Sequence, residues 1–382
     1  MNFKLEQKVK VTVTDDLSKS ILQVLKEASY KKPLIVMDSF LNSTPIVNKL
    51  KEDLTNEGID FIVYDKIVSD PPTNLVDEGA VICNKQQCDS IIAIGGGSSI
   101  DVARGINIVK HNGGKIKDYV TFEGEIKECP GLISVPTTSG TGSELSNALI
   151  VTDLKTNTKL AVLADNSVSE YAILNPELLM SLPKNMTIAT GLDTFSHAAE
   201  GYTSNLSSPV TDAICEKIMF LVAKYLPLAV EDGSNREARE RMMVAAALGG
   251  WMLNNCGTHI GHSTAHILGS KYKIPHGMAC AYALPGALEH VAPVLPKKIK
   301  EIGYILGATF PENASVEEIA SITSNRYRDF RDNILGMAPF SELQIDKNEL
   351  LTNAKDIVEE RFAGNTPRKV DLEAAVELLK KL

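Results

Sequence analysis

The chain has 382 residues, long for a single hydrophobic core, so two domains are expected. Charged residues make up 23% and hydrophobic residues 44%, as in an ordinary globular protein, and the net charge of -9 argues against nucleic acid or an anionic membrane as the main partner. The six cysteines, Cys83, Cys88, Cys129, Cys215, Cys256 and Cys280, contain no CxxC pair, which points to reduced thiols in a reducing, cytoplasmic compartment.

The opening MNFKLEQKVKVTVTDD lacks the apolar stretch of a secretion signal, so none is expected. Within it, Lys8–Thr14 alternates through Val9, Val11 and Val13, as an edge strand does. Up to about residue 182, short β-type runs alternate with helical stretches. The predicted strands are Leu34–Met37, Phe61–Tyr64, Ser90–Ile94 and Leu132–Val135, and the helices between them include Leu17–Ala28 and Ile46–Glu57. This alternation predicts an α/β N-terminal domain, residues 1–183, with a parallel sheet covered by helices.

Two loops of this half are built for a polar ligand. In DSIIAIGGGSSIDVAR an apolar strand runs into Gly95, Gly96, Gly97 and Ser98, and a helix starts there. Glycines let a pyrophosphate approach the backbone, and the helix N-terminus favours the anion. The pattern is not GxGxxG, and an ordinary tight βα turn has the same composition. The second loop, VPTTSGTGSE, offers the hydroxyls of Thr137, Thr138 and Thr141 between two apolar stretches, so a flexible linker is not expected. Asp38, at the end of LIVMD, is placed either to bind ribose hydroxyls or to cap the following helix. Asp101 sits in a first helical turn, where a carboxylate complements the dipole.

From Asn185 onward β-type runs are scarce. Helical periodicity covers Thr187–Tyr202, Val210–Tyr225, Arg236–Leu253 and Asp371–Leu382. This predicts an all-α C-terminal domain, residues 184–382. The apolar stretch Met242–Leu253 is much shorter than the ~20 residues of a membrane span and reads as a buried helix.

The helical half carries a candidate metal site. GLDTFSHAAEGY places Asp193 and His197 one turn apart on one helix face. GHSTAHILGSKYKIPHGM then supplies His262, His266 and His276. Asp193, His197, His262 and His276 form an oxygen and nitrogen set that suits Fe(II), Zn(II) or Mn(II) and leaves positions open for a substrate oxygen. On spacing alone His266 is a fifth metal contact, a proton carrier or a packed histidine. Chemistry is expected in the cleft between the two halves, since ligand sites favour domain interfaces.

Taken in order, KPLIVMDSF, GGGSSID, PTTSGTGSE, GLDTFSHAAEGY and GHSTAHILGSKYKIPHGMACAYALP resemble the iron-containing (group III) alcohol dehydrogenases over nearly the whole chain. Lactaldehyde reductase and 1,3-propanediol dehydrogenase are members of that family. The resemblance implies a Rossmann-like, nucleotide-binding sheet and NAD(P)-linked hydride transfer at a metal-bound alcohol or aldehyde, with Fe(II) first among the ions. It implies a ribose contact for Asp38, and hence NAD(H). It also places Asp101 toward the nicotinamide and Lys159 close to the cofactor. Asp193, His197, His262 and His276 then hold the metal, and His266 remains as a proton carrier near the nicotinamide. A homodimer built through the N-terminal strands, able to stack into larger assemblies, is implied as well.

Two departures stand out. Asn175 precedes Pro176 where the family often has Asp, and His259 takes the place of a small residue, so it is a candidate contact of the substrate. The substrate expected is a short-chain primary alcohol or diol and its aldehyde, with an anionic aldehyde such as succinic semialdehyde or sulfoacetaldehyde as the alternative. A phosphate-bearing substrate of the dehydroquinate synthase kind needs a basic cluster, and the metal segments carry only Lys271 and Lys273 beside the histidines. A non-catalytic metal- and nucleotide-binding protein is the remote alternative.

Overall fold

Two compact units make up the chain, meeting at Ser181 and Leu182, with residues 3–5 joining the second unit. The computed structural model describes residues 3–382 except Phe122 and Asn157.

The first unit contains, in order, β1 (Lys10–Val13), α1 (Leu17–Ala28), β2 (Pro33–Val36), α2 (Pro45–Asn56), β3 (Ile62–Tyr64), α3 (Thr73–Lys85), β4 (Ser90–Gly95), α4 (Gly97–Asn112), β5 (Leu132–Pro136), β6 (Ala148–Asp153), β7 (Thr158–Leu163) and β8 (Tyr171–Leu174). Six strands form one sheet in the order β1-β8-β5-β4-β2-β3, and every pairing in it is parallel. Both faces of the sheet are apolar, as a parallel sheet under helices requires. Leu34, Val36, Ile91 and Ala93 join α3 and α4 residues such as Val76, Ala80, Ala103 and Ile106 in one core. Ile35, Met37, Ile92 and Ile94 join Ile21 and Leu25 of α1 and Leu50 and Leu54 of α2 in another. Neighbouring residues of one strand thus feed opposite cores, the period-two signature of a strand.

The chain reverses its direction of travel across the sheet between β2 and β4. In an open parallel sheet the carboxyl ends of two such strands flank a crevice where ligands bind. Asp38 follows β2, and the glycine loop follows β4. The apolar run at Ala148 does not enter the main sheet. It folds back on β7 as a separate antiparallel pair, from Ala148 opposite Leu163 to Asp153 opposite Thr158.

The second unit is helical throughout its described residues. Its main helices are α5 (Lys184–Thr203), α6 (Pro209–Glu231), α7 (Arg236–Cys256), α8 (Ile260–Tyr272), α9 (His276–Val291), α10 (Pro296–Ile305) and α11 (Val316–Asp329), followed by shorter ones ending with Leu372–Lys380. α5 packs against α6, α7 and α9. Because neighbours cover it on several sides, nearly every residue from Gly191 to Thr203 is buried, polar or not. No helix among the described residues is long and apolar enough to cross a membrane.

Candidate active site

A helix buried on all sides must satisfy its polar side chains within the protein. In α5 the hydroxyls do so locally: Ser196 Oγ donates to the Leu192 carbonyl at 2.8 Å and Thr203 Oγ1 to the Ala199 carbonyl at 2.7 Å. Asp193, His197 and Glu200 have no such local outlet. They are 2%, 4% and 1% exposed, so their partners must come from other helices.

Glu200 finds them at the start of α8. Its Oε2 accepts the backbone N–H groups of His259, Gly261 and His262 at 2.8, 3.1 and 3.2 Å. A carboxylate at a helix N-terminus is favoured by the dipole and the unpaired N–H groups. Its Oε1 lies 2.6 Å from His262 Nδ1, which fixes that ring and leaves Nε2 as the free face of the imidazole. Burial alone would raise the Glu200 carboxyl, but His262 and His259 beside it bring it down to about 2.

The Nε2 atoms converge on a single oxygen. Asp193 Oδ1 lies 3.5 Å from His197 Nε2, 3.7 Å from His262 Nε2 and 3.6 Å from His276 Nε2, yet it is buried without a hydrogen bond. Burial raises the carboxyl, and the surrounding imidazoles of His197, His276 and His262 outweigh this and hold it well below the ordinary range. Burial lowers His197 to about 4. His276 stands at the first turn of α9, after Lys273 closes α8 in the left-handed region with φ 57°. The next residue is Gly277, where a Cβ would lie 2.1 Å from the carbonyl oxygen of Ala189 in α5. This close crossing carries His276 to Asp193.

One turn further along α9 is Cys280, fully buried, with Sγ 3.6 Å from both His262 Nε2 and His276 Nε2. Burial pushes its thiol up to about 12. The donor atoms of Asp193, His262, His276 and Cys280 all lie within 4.8 Å of one another. This group takes in Cys280, which the sequence-based set lacked, and leaves out His197, which that set included. The i+4 spacing from His276 to Cys280 was a usable signal, since it puts both on one face of a helix. Glu200 was likewise missed, although it follows Asp193 by two helical turns.

His266 stacks on the ring of His276 with centroids 5.5 Å apart, and its Nδ1 lies 3.0 Å from Glu360 Oε1. Glu360 also accepts Ser263 Oγ at 2.6 Å and its own near neighbour Phe362 N at 2.8 Å. No spacing rule connects residues 94 positions apart, so sequence reasoning had no route to Glu360. His259 is 0% exposed, with Nε2 2.8 Å from Thr203 Oγ1. It is packed beneath the site, and burial lowers it to about 4. That closed position does not suit the substrate contact expected of it.

In the first unit the two predicted loops meet. Thr137 N donates to the Gly95 carbonyl at 3.0 Å. A Cβ on Gly96 would stand 3.2 Å from Thr138 Cγ2, and one on Gly97 3.0 Å from Thr141 Oγ1. Ser98 follows in the first turn of α4. Arg104, wholly buried, ties the second loop down through the carbonyls of Ser143 and Ala148. Asp101 lies 3.8 Å from Arg104 and accepts the Ile150 N–H at 2.9 Å, so it anchors the β6–β7 pair. Lys159, on β7, pairs with Asp70 at 2.8 Å. Asp38 Oδ1 caps the turn after β2 by accepting Leu41 N at 2.9 Å. Asn175 Oδ1 does the same for Glu177 N at 2.9 Å, a task an aspartate performs equally well.

Comparison with known proteins adds what the geometry alone does not. Residues 9–176 match the family model for iron-containing alcohol dehydrogenase, and residues 187–382 match that for the C-terminal part of the Fe-containing alcohol dehydrogenase family. This chain belongs to the iron-containing alcohol dehydrogenases. It is an oxidoreductase of that family. The NAD-dependent methanol dehydrogenase of Bacillus methanolicus is 32% identical over 358 residues, 93% of either chain. The 1,3-propanediol dehydrogenase of Citrobacter freundii is 35% identical over 279 residues, 72% of either chain. Among solved structures, an alcohol dehydrogenase from Oenococcus oeni superposes with a TM-score of 0.92 at 29% identity over 100% of both chains.

Proposed function

We propose that this dehydrogenase interconverts a short-chain primary alcohol or diol and its aldehyde, using NAD(H) and a divalent metal ion. The observation that carries the reading is Asp193 Oδ1, a buried carboxylate oxygen that makes no hydrogen bond and has three imidazole Nε2 atoms around it. A buried anion in that state fits a cation. Asp193, His197, His262 and His276 would hold it, with Fe(II), Zn(II) and Mn(II) all compatible with oxygen and nitrogen donors. When bound, the metal supplies Lewis-acid polarisation of the substrate oxygen and the nicotinamide supplies the hydride acceptor.

The protein's own groups do the rest. Glu200 keeps a proton on His262 Nδ1 and so presents Nε2 toward Asp193. His266, oriented by Glu360, would take the alcohol proton and pass it outward, a role its 26% exposed side chain supports. Gly95, Gly96 and Gly97, with no Cβ to block approach, and the α4 N-terminus suit the pyrophosphate, with Ser98 and the hydroxyls of Thr137, Thr138 and Thr141 around it. The remaining carboxylate oxygen of Asp38, at the β2 side of the crevice, suits the ribose and disfavours a 2′-phosphate. Asp101 and Lys159 take part in this reading only as supports of the neighbouring hairpin. The assembly proposed is a homodimer through β1, the terminal strand of the sheet, whose Val11 and Val13 are exposed.

The test is oxidation of NADH and of NADPH by the Fe(II)-, Mn(II)- and Zn(II)-loaded protein against short neutral aldehydes and their acidic counterparts. Turnover with a neutral aldehyde and preference for NADH are expected. A preference for acidic aldehydes would move the substrate to the anionic class. No turnover across the panel by protein that retains its metal would overturn the reading.

A further inference from the structure

Among the donor atoms of Asp193, His262, His276 and Cys280, four of the six separations are nearly equal. Asp193 Oδ1 is 3.7 Å from His262 Nε2 and 3.6 Å from His276 Nε2, and Cys280 Sγ is 3.6 Å from each of the same two nitrogens. The two remaining edges, oxygen to sulfur and nitrogen to nitrogen, are no longer than 4.8 Å. A tetrahedral zinc ion with bonds of about 2.3 Å to sulfur and about 2.05 Å to nitrogen has a sulfur–nitrogen edge of about 3.6 Å and a nitrogen–oxygen edge of about 3.3 Å. Packing of a thiol in an apolar core imposes no such pair of equal contacts to two imidazole nitrogens.

We propose that Cys280 is a metal ligand in this chain, and that its sulfur biases the site toward Zn(II) over Fe(II). The inference rests on the metal-dependent reading above, adds Cys280 to its donors beside His197, and narrows its choice of ion. Cys280 is 1% exposed, and the two imidazole nitrogens are the neighbours toward which its sulfur is directed. Asp193 Oδ1, the unpartnered buried oxygen of the same group, independently calls for a cation at that place. Ligation is a simple exchange: the Sγ–H bond breaks, the proton leaves to solvent, and a sulfur lone pair is donated to the ion. No oxidant or reductant is needed.

A donor set of carboxylate and imidazole discriminates weakly among Fe(II), Zn(II) and Mn(II), whereas a thiolate favours the softer ion. His197 Nε2, 3.5 Å from Asp193 Oδ1, then stands as a further donor for expansion beyond four ligands. Zinc sites expand in this way during catalysis, so sulfur ligation and substrate binding are compatible.

Cobalt reports the sulfur directly. Apoprotein loaded with one equivalent of Co(II) is expected to show a near-ultraviolet thiolate-to-cobalt charge-transfer band. The band should vanish in Cys280→Ser and Cys280→Ala while the visible cobalt bands persist. The zinc-to-iron affinity ratio, read by competition, should fall at least about tenfold in both variants. X-ray absorption at the zinc edge of the wild-type enzyme needs no variant, and a sulfur scatterer at about 2.3 Å is expected. A wild type that binds cobalt without the band, with only nitrogen and oxygen around zinc, overturns the proposal. If that enzyme still oxidises NADH, the functional reading stands and only the role of Cys280 falls. A sulfur-bound zinc with no NADH turnover sinks the functional reading and keeps the ligand. Failure to retain any ion removes both.

Discussion

Four of the buried carboxyl groups among the described residues, Asp101 and Glu144 in one unit and Asp193 and Glu200 in the other, behave in opposite ways. In the α/β unit, burial pushes Asp101 up to about 6 and Glu144 up to about 7, and Arg104 recovers only part of the cost. In the helical unit, burial acts equally on Glu200 and Asp193, yet imidazoles bring Glu200 to about 2 and Asp193 well below its ordinary range. All four are buried. What differs is the charged company: the single guanidinium of Arg104 in one case, neighbouring imidazoles in the other. A structural carboxyl tolerates being half neutral. A carboxyl among imidazoles is kept ionised by its surroundings.

The sharpest way to break this contrast is to remove a member of the histidine ring. His262→Ala should lose the metal and lower kcat by about 10³-fold or more, the scale of a removed electrostatic catalyst, with circular dichroism unchanged. Unaltered metal content would dissolve the distinction between the two units. Next in size is His266→Ala, which should keep metal stoichiometry and lower kcat by about 10²-fold, as loss of a proton carrier does. If it strips the ion as fully as His262→Ala, it belongs to the ligands.

Glu200→Gln comes third. A glutamine cannot accept three backbone N–H groups and the His262 Nδ1 proton together, so metal affinity should fall by about 10- to 100-fold, measured by chelator competition. An unchanged affinity would show that Glu200 serves α8 alone. The smallest effect concerns the other unit. Glu144 has a folded pKa raised above its unfolded value, so its contribution to stability is fully present below about 4.5 and is lost as pH rises through about 7. Urea midpoints should therefore decline across that window, and Glu144→Gln should flatten the slope. An equal slope in the variant would assign the decline elsewhere.

Elements with a local cause could be read from the chain. α1 occupies the range its apolar spacing predicts, Leu17–Ala28, with Asp16 capping it by accepting Lys19 N. Asp193 and His197 were legible because one helical turn suffices to pair them. The β6–β7 pair was not, because its position depends on Asp101 and Arg104, more than 40 residues away. Glu360 was invisible for the same reason. Cys280 is the buried free thiol that its composition implied, but its place beside two imidazoles depends on how α8 and α9 meet, which the chain does not spell out.

The contact at Gly277 has a consequence for how this site can change over time. The obstacle to a side chain there is a main-chain oxygen, that of Ala189, which no rotamer change can move aside. The span between His276 and Asp193 is thus inherited from a helix crossing, and the two side chains themselves do not set it. Drift along the outer faces of α5 and α9 can be absorbed one residue at a time. Drift at position 277 would have to move a whole helix in one step, so lineages that diverge in substrate should still pass through glycine at this point.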